Sequence, residues 1–326
     1  MKIAIIGPGL MPIPPTSWGA VEILIWNYRN YLIKKGHEVK IYNTKDLSSV
    51  KKDIEQSDFD FVHLHFDNYL SYFEDIKCKN FFVTSHYGNL PNDKRYENFY
   101  WKIFYNFINT RHKILALPPE IKNMYEEYGA DKNKIIVAHN GVEVDDFQFK
   151  EESKLPNRTI YFGRLEKRKG QHLYSNQAGF NFDFVGNTGD ITNLHLSKDN
   201  RYLGAWTKAK IYSNLTDYAN MALISYGEAH PLVCMEAMSA GLGLVVSKVA
   251  SANLDREKPF IEVIPDNKIE DIDYVREKVL KNREISISMR REIREYATEH
   301  FSWDKVVDKY IKTLKGECSE KNTRKY

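Results

Sequence analysis

The sequence predicts an α/β protein, a doubly wound parallel sheet followed by a second strand-bearing domain. Three observations predict it. Short apolar runs alternate with segments of helical period through the first half of the chain. After a polar stretch, residues 148–157, that reads as a linker between domains, the strand signals begin again. At 326 residues the chain exceeds what one hydrophobic core usually holds, so two domains are expected.

The first strand is Lys2 to Ile6, followed by a long loop from Gly7 to Gly19. Ala20 to Lys35 carries Val21, Leu24, Ile25, Tyr28 and Leu32 at helical spacing, and Gly36 closes that helix. Val39 to Tyr42, Phe61 to His65 and Phe81 to Ser85 read as the next strands, then Lys113 to Leu117 and Ile135 to Ala138. Strands that alternate with helices pair in parallel, because each connection must cross the sheet. In the second half, strands are expected at Thr159 to Phe162, Phe182 to Val185, Met221 to Ile224 and Leu244 to Val246. The expected division is residues 1–150, residues 151–300, and a C-terminal segment 301–326 that is polar from Gly316.

Composition excludes several classes. A hydrophobic content of 42% is ordinary for a soluble globular chain, and a net charge of +3 is too small to argue for nucleic acid. The three cysteines, Cys78, Cys234 and Cys318, show no metal spacing and no disulfide framework, which favours a reducing compartment. The opening apolar run stops at Gly7-Pro8, too short for a secretory signal, and no apolar stretch approaches the ~20 residues of a membrane span. A cytoplasmic protein is expected.

Gly7-Pro8-Gly9 invites a dinucleotide-binding reading, which fails on detail. The third glycine is missing, prolines at 12, 14 and 15 delay the helix, and Asn43 stands where an acidic residue should hold the ribose. Gly19, next to the helix start, suits a close approach of backbone N–H groups to phosphate.

The strongest chemical signal is the pair Glu228 and Glu236 in Ser-Tyr-Gly-Glu-Ala-His-Pro-Leu-Val-Cys-Met-Glu-Ala-Met-Ser-Ala-Gly. Pro231 fits the first turn of a helix, so Glu228 lies in the loop before it and Glu236 within it. A helix start offers free N–H groups and a positive dipole end to a diphosphate, with a carboxylate on either side to reach sugar hydroxyls. In Gly163-Arg164-Leu165-Glu166-Lys167-Arg168-Lys169-Gly170, Arg164 ends a strand and Lys169 begins the next helix, where two cations would neutralise a diphosphate. Lys167 and Arg168 are read as solvated surface residues.

Gly-Arg-Leu-x-x-x-Lys-Gly, Glu-x(7)-Glu, Asn140-Gly141-Val142, Phe301-Ser302-Trp303 and Gly36-His37-Glu38-Val39 occur in an order that resembles the retaining family-4 glycosyltransferases. The likeness spans about residues 1–315. It implies a GT-B fold, two Rossmann-like domains facing across a cleft with the C-terminal helix crossing back to the first. It also implies transfer of a sugar from a UDP- or GDP-sugar to a saccharide or glycolipid acceptor, with no metal and no cofactor. Arg164 and Lys169 would hold the diphosphate, Glu236 the ribose and Glu228 the transferred sugar, while backbone amides near Leu232 and Val233, with Gly19, complete the phosphate seat. Base recognition is implied around Gly186-Asn187 and Tyr202 to Trp206. The chain departs from the family at Ala229-His230-Pro231, where His230 is a candidate donor contact.

His63 and His65 alternate on one strand and share a face, without a third ligand at metal spacing. The family places a histidine near the reacting sugar at the position of His86, the fourth candidate catalytic residue beside Glu228, Arg164 and Lys169; His63 is expected to pack. Asp58-Phe59-Asp60 precedes its strand and reads as an exposed turn. Lys94 to Lys113 is basic and aromatic, with Tyr96, Phe99, Tyr100, Trp101, Phe104 and Phe107. Such a stripe is usually core, and it leaves a peripheral membrane contact or an acceptor grip open. The rival readings are a GT-B sugar-nucleotide epimerase and a catalytically silent nucleotide-sugar binding protein.

Overall fold

The computed structural model describes residues 1–16, 19–78, 80–88, 90, 100–117, 119–228 and 231–316. The chain divides into two compact units, Met1–Gly141 joined by the segment from Trp303, and Val142–Ser302. Each is built on one six-stranded sheet in which every pairing is parallel.

In the first unit the strands are β1 (Lys2–Ile6), β2 (Glu38–Tyr42), β3 (Phe61–Leu64), β4 (Phe81–Val83), β5 (Lys113–Ala116) and β6 (Ile135–Val137), in the order β2-β1-β3-β4-β5-β6. The connecting helices are α1 (Ala20–Lys34), α2 (Leu47–Gln56), α3 (Leu70–Phe73), α4 (Tyr100–Ile108) and α5 (Pro119–Glu127). Leu24, Ile25, Tyr28 and Leu32 of α1 are buried, as their helical spacing predicts, and Gly36 follows the helix at φ +81°. Within α4, Tyr100, Phe104 and Phe107 are core, while Trp101 and Tyr105 are exposed. Tyr96 and Phe99 lie outside the described residues.

The second unit contains β7 (Leu155–Phe162), β8 (Phe182–Val185), β9 (Arg201–Tyr202), β10 (Tyr218–Leu223), β11 (Gly243–Ser247) and β12 (Ile261–Ile264), ordered β12-β11-β10-β7-β8-β9. Its helices are α6 (Gln171–Tyr174), α7 (Lys208–Asn214), α8 (Leu232–Ser239), α9 (Ile272–Ser288) and α10 (Arg290–Phe301). All six residues of β10 are buried, and Ile160, Tyr161, Phe184, Leu223 and Val245 are fully enclosed in the core. The stretch 148–157 is not a free linker. Gln148 N donates to Tyr212 O, Lys150 N to the hydroxyl of Thr216, and β7 already begins at Leu155. These ties move the division between units back to Gly141 and Val142.

α11 (Trp303–Leu314) belongs to the first unit. Trp303 is almost wholly buried, with Tyr28 edge-on at 4.9 Å and Tyr31 stacked at 6.1 Å. A side chain at Gly141 would meet the Trp303 ring at 2.6 Å, so the indole selects glycine there. Val142 N donates to Phe301 O at 2.8 Å, so the second unit starts and ends side by side.

The strand orders locate the functional loops. In an open parallel sheet ligands bind beyond the strand C-termini, where the order reverses direction. That point lies between β7 and β10 in the second unit, and between β1 and β3 in the first.

Candidate functional site

The second unit's reversal point brings together the loop after β7, residues 163–170, and the loop after β10, residues 224–228. Tyr161 is fully buried in β7, and its phenol donates to Lys169 O at 2.6 Å while accepting the N–H of Ile224 at 2.9 Å. Tyr226 N donates to Arg168 O at 2.8 Å. Gly170, at φ +74°, passes so close to Ile224 O that any Cβ would overlap it, which restricts this position to glycine. Gln171, fully buried, donates to Arg164 O at 2.8 Å and holds the loop's first turn.

These ties place Lys169 Nζ 3.0 Å from Glu228 Oε1, and both side chains are largely buried. Arg168 reaches the same carboxylate oxygen at 3.5 Å, donates to Glu166 Oε2 at 3.0 Å, and donates to Gly227 O. Reading Arg168 as a surface residue was therefore wrong. Spacing alone could not distinguish it from Lys167, which is exposed. Arg164 stands at the end of β7 but is 61% exposed and leans on Glu166 at 3.7 Å, not on Glu228. It joins the cluster through Glu166.

α8 begins with Leu232, and Pro231 sits one position ahead of it as N-cap with φ −74°, not inside the first turn. Leu232 and Val233 supply the first N–H groups of the helix, which have no carbonyl within the helix to bind. Glu236 lies further along α8, half-buried, and burial raises its carboxyl to about 7 against a weaker opposing pull from Lys208. Buried Cys234 lies between the two acids. Burial, then Glu228, raises its thiol, Glu236 adds to this, and Lys169 opposes it. Both glutamates and Lys169 thus act on one neighbourhood, and no motif in the sequence pointed to Cys234. His230 lies outside the described residues. Tyr202 donates to Gly186 O at 2.9 Å, joining the two stretches expected to meet the base.

The first unit has its own cluster beyond β3 and β4. His63 is held by the Tyr310 hydroxyl at 3.0 Å and the Thr84 hydroxyl at 2.8 Å, a packing role. His65 Nδ1 lies 3.2 Å from His86 Nε2, with the two rings stacked. Burial pushes His86 down to about 4, so both imidazoles are neutral near pH 7. The backbone at His86 is pinned from behind: Tyr100 donates to Asp67, the Ser85 hydroxyl lies 2.9 Å from the Tyr100 hydroxyl, and Tyr87 stacks on Tyr100. Burial raises the Asp67 carboxyl, which has no ion pair among the described residues. Gly19, at φ +139°, ends the long loop after β1. That loop is fixed by Glu22, which accepts Met11 N–H at 3.3 Å, and by Asn43, which accepts from Gly9 N and donates to Met11 O. Asn43 is thus a loop staple. Asp58 and Asp60 are tied to Lys2 in a turn before β3. Among the described residues no group of three His, Cys, Asp or Glu side chains could hold a metal, and no helix is long and apolar enough to cross a membrane.

Residues 42–146 match the family model described as Glycosyltransferase Family 4. Nearly the whole chain is similar in fold to several solved structures. HepE from Anabaena, crystallised with UDP and glucose, has a TM-score of 0.73 at 15% identity, over 97% of this chain and 100% of that one. Sucrose-phosphate synthase from Thermosynechococcus elongatus gives 0.77 at 12% identity, over 97% and 98%. The lipopolysaccharide outer core galactosyltransferase WaaB gives 0.70 at 16% identity, over 98% and 100%. A search of curated protein sequences finds no match. The fold is GT-B, shared with these structures, and the stretch matching the family model lies mostly in the first unit.

Proposed function

We propose that the protein is a retaining glycosyltransferase that moves a sugar from a UDP- or GDP-sugar to a saccharide or glycolipid acceptor without a metal ion. The observation that carries this reading is the Lys169–Glu228 pair at the reversal point of the second sheet, next to the start of α8. An ammonium and unbonded helix N–H groups suit a diphosphate, and a neighbouring carboxylate suits sugar hydroxyls. HepE was crystallised with UDP and with UDP-glucose, which favours a nucleotide-sugar donor here.

In this reading Lys169, Arg164 and the amides of Leu232 and Val233 neutralise the donor diphosphate. They gain most when the bond from the anomeric carbon to the β-phosphate oxygen breaks and charge grows on the leaving group. The acceptor hydroxyl forms the new bond to that carbon from the same face, and its proton passes to the departing phosphate. Glu228 accepts from the transferred sugar, Glu236 from the ribose. Gly19 would add backbone contact to phosphate. His86, a neutral imidazole, would accept from or donate to sugar hydroxyls, and His230 would touch the donor. The mostly buried aromatic stripe of α4 leaves Trp101 and Tyr105 as the groups available for a glycolipid or membrane surface.

The test is nucleoside diphosphate release from a panel of UDP- and GDP-sugars, with and without saccharide acceptors, and the anomeric configuration of the product by NMR. Acceptor-stimulated release with the donor's configuration kept is expected. Release of neither nucleotide under any pairing, or an inverted product, would overturn the corresponding part of the reading.

A further inference from the structure

Glu228 is 8% exposed, and its Oε1 has two cations within reach, Lys169 at 3.0 Å and Arg168 at 3.5 Å. The two cations differ in what else holds them. Lys169 has a flexible stem, lies over Gly163, and has no second carboxylate partner among the described residues. Arg168 is fixed by a fork, one nitrogen on Gly227 O and another on Glu166 Oε2, while its own carbonyl receives Tyr226 N–H. The guanidinium is a rigid, permanently charged group and the ammonium a mobile one. A donor diphosphate competes with Glu228 for the Lys169 ammonium and draws it toward the ligand. With no second cation, that movement would leave a buried carboxylate unpaired, which is strongly unfavourable.

We propose that Arg168 is a positioning residue that keeps Glu228 charge-paired and in place while Lys169 transfers to the donor diphosphate. This inference rests on the donor-binding reading above. It assigns to one loop two basic neighbours with separate tasks: Lys169 binds the ligand, and Arg168 makes Lys169 available. It also predicts a thermodynamic coupling. Arg168 should matter to diphosphate binding only as long as Glu228 carries a charge.

The experiment is calorimetric titration of UDP and GDP into the 326-residue chain and four variants: R168Q, R168K, E228Q and R168Q/E228Q. UDP and GDP lack the transferred sugar, so in this reading Glu228 has no contact to lose with either. For whichever nucleotide binds, R168Q should weaken affinity about tenfold. R168K, which retains the charge, should stay within about threefold of wild type. The decisive comparison is R168Q/E228Q against E228Q, expected to agree within about twofold. This comparison stands even if R168Q alone is too unstable to assay. Unchanged affinity in R168Q, or a double variant about tenfold weaker than E228Q, would overturn the proposal and leave Arg168 a loop brace. If the wild-type chain binds neither nucleotide, the donor reading itself fails and takes this inference with it.

Discussion

The Tyr161 phenol donates to the backbone carbonyl of Lys169 at 2.6 Å from inside the core of the second unit, and at 2.9 Å it receives the amide of Ile224. One buried hydroxyl thus sets the spacing of two loops that follow different strands and carry Lys169 and Glu228. Tyr161→Phe would leave a buried carbonyl and a buried amide unpaired. A loss of about 1–3 kcal/mol is expected in urea unfolding, with weaker nucleotide binding as the loops separate. Unfolding and binding equal to wild type would show that the phenol does not position the site.

Glu236 supplies a pH dependence. Its carboxyl is raised to about 7, so near neutral pH it is partly protonated. Ribose hydroxyls donate best to the ionised form, so nucleotide affinity should fall as pH drops from 8 to 6. Stability moves the opposite way: this group's contribution is fully present below its ordinary value of 4.5 and is lost as pH rises through about 7. Titrations of UDP or GDP at several pH values should show proton release on binding, and Glu236→Gln should flatten the profile. A pH-independent wild type would remove Glu236 from the ribose.

Lys169 and Glu228 separate binding from chemistry. Lys169→Ala should weaken nucleoside diphosphate binding by about tenfold or more and lower turnover further, because leaving-group charge grows in the transition state. Glu228→Gln should leave nucleoside diphosphate binding nearly intact and reduce turnover of the sugar-bearing donor. Steady-state kinetics beside calorimetry would expose a reversal of these two patterns.

In the first unit, Trp303→Ala removes an almost fully buried indole that packs on Tyr28 and Tyr31. A cost of about 3–5 kcal/mol is expected by chemical denaturation. His86→Ala should change turnover with less loss of stability, since the residue is partly exposed; His63→Ala should do the reverse, because it is buried and both its ring nitrogens are bonded.

Much of the architecture was legible in the residues. Alternating apolar runs marked β1, β8 and the centres of most other strands, because a strand buried on both faces must be continuously apolar. β9, two exposed residues at a sheet edge, and β12, half-buried at the other edge, gave no such signal. The stretch 148–157 looked like a linker because its side chains are polar, yet its ties to Tyr212 and Thr216 are made largely by backbone groups, which leave no trace in composition.

What the sequence determined by itself was chemistry and order: which residues can carry charge, which segments must be buried, and a run of motifs that resembles those of one glycosyltransferase family. Which charges meet was decided only when β7 and β10, far apart in the chain, became neighbours in one sheet. That pairing separated Arg168, Lys167 and Arg164, three basic residues of one loop that no local pattern could rank. It left Lys167 in solvent, set Arg164 on Glu166, and turned Arg168 toward Glu228. The reason is physical: propensity and periodicity act over a few residues, whereas a buried ion pair depends on where strands distant in sequence end.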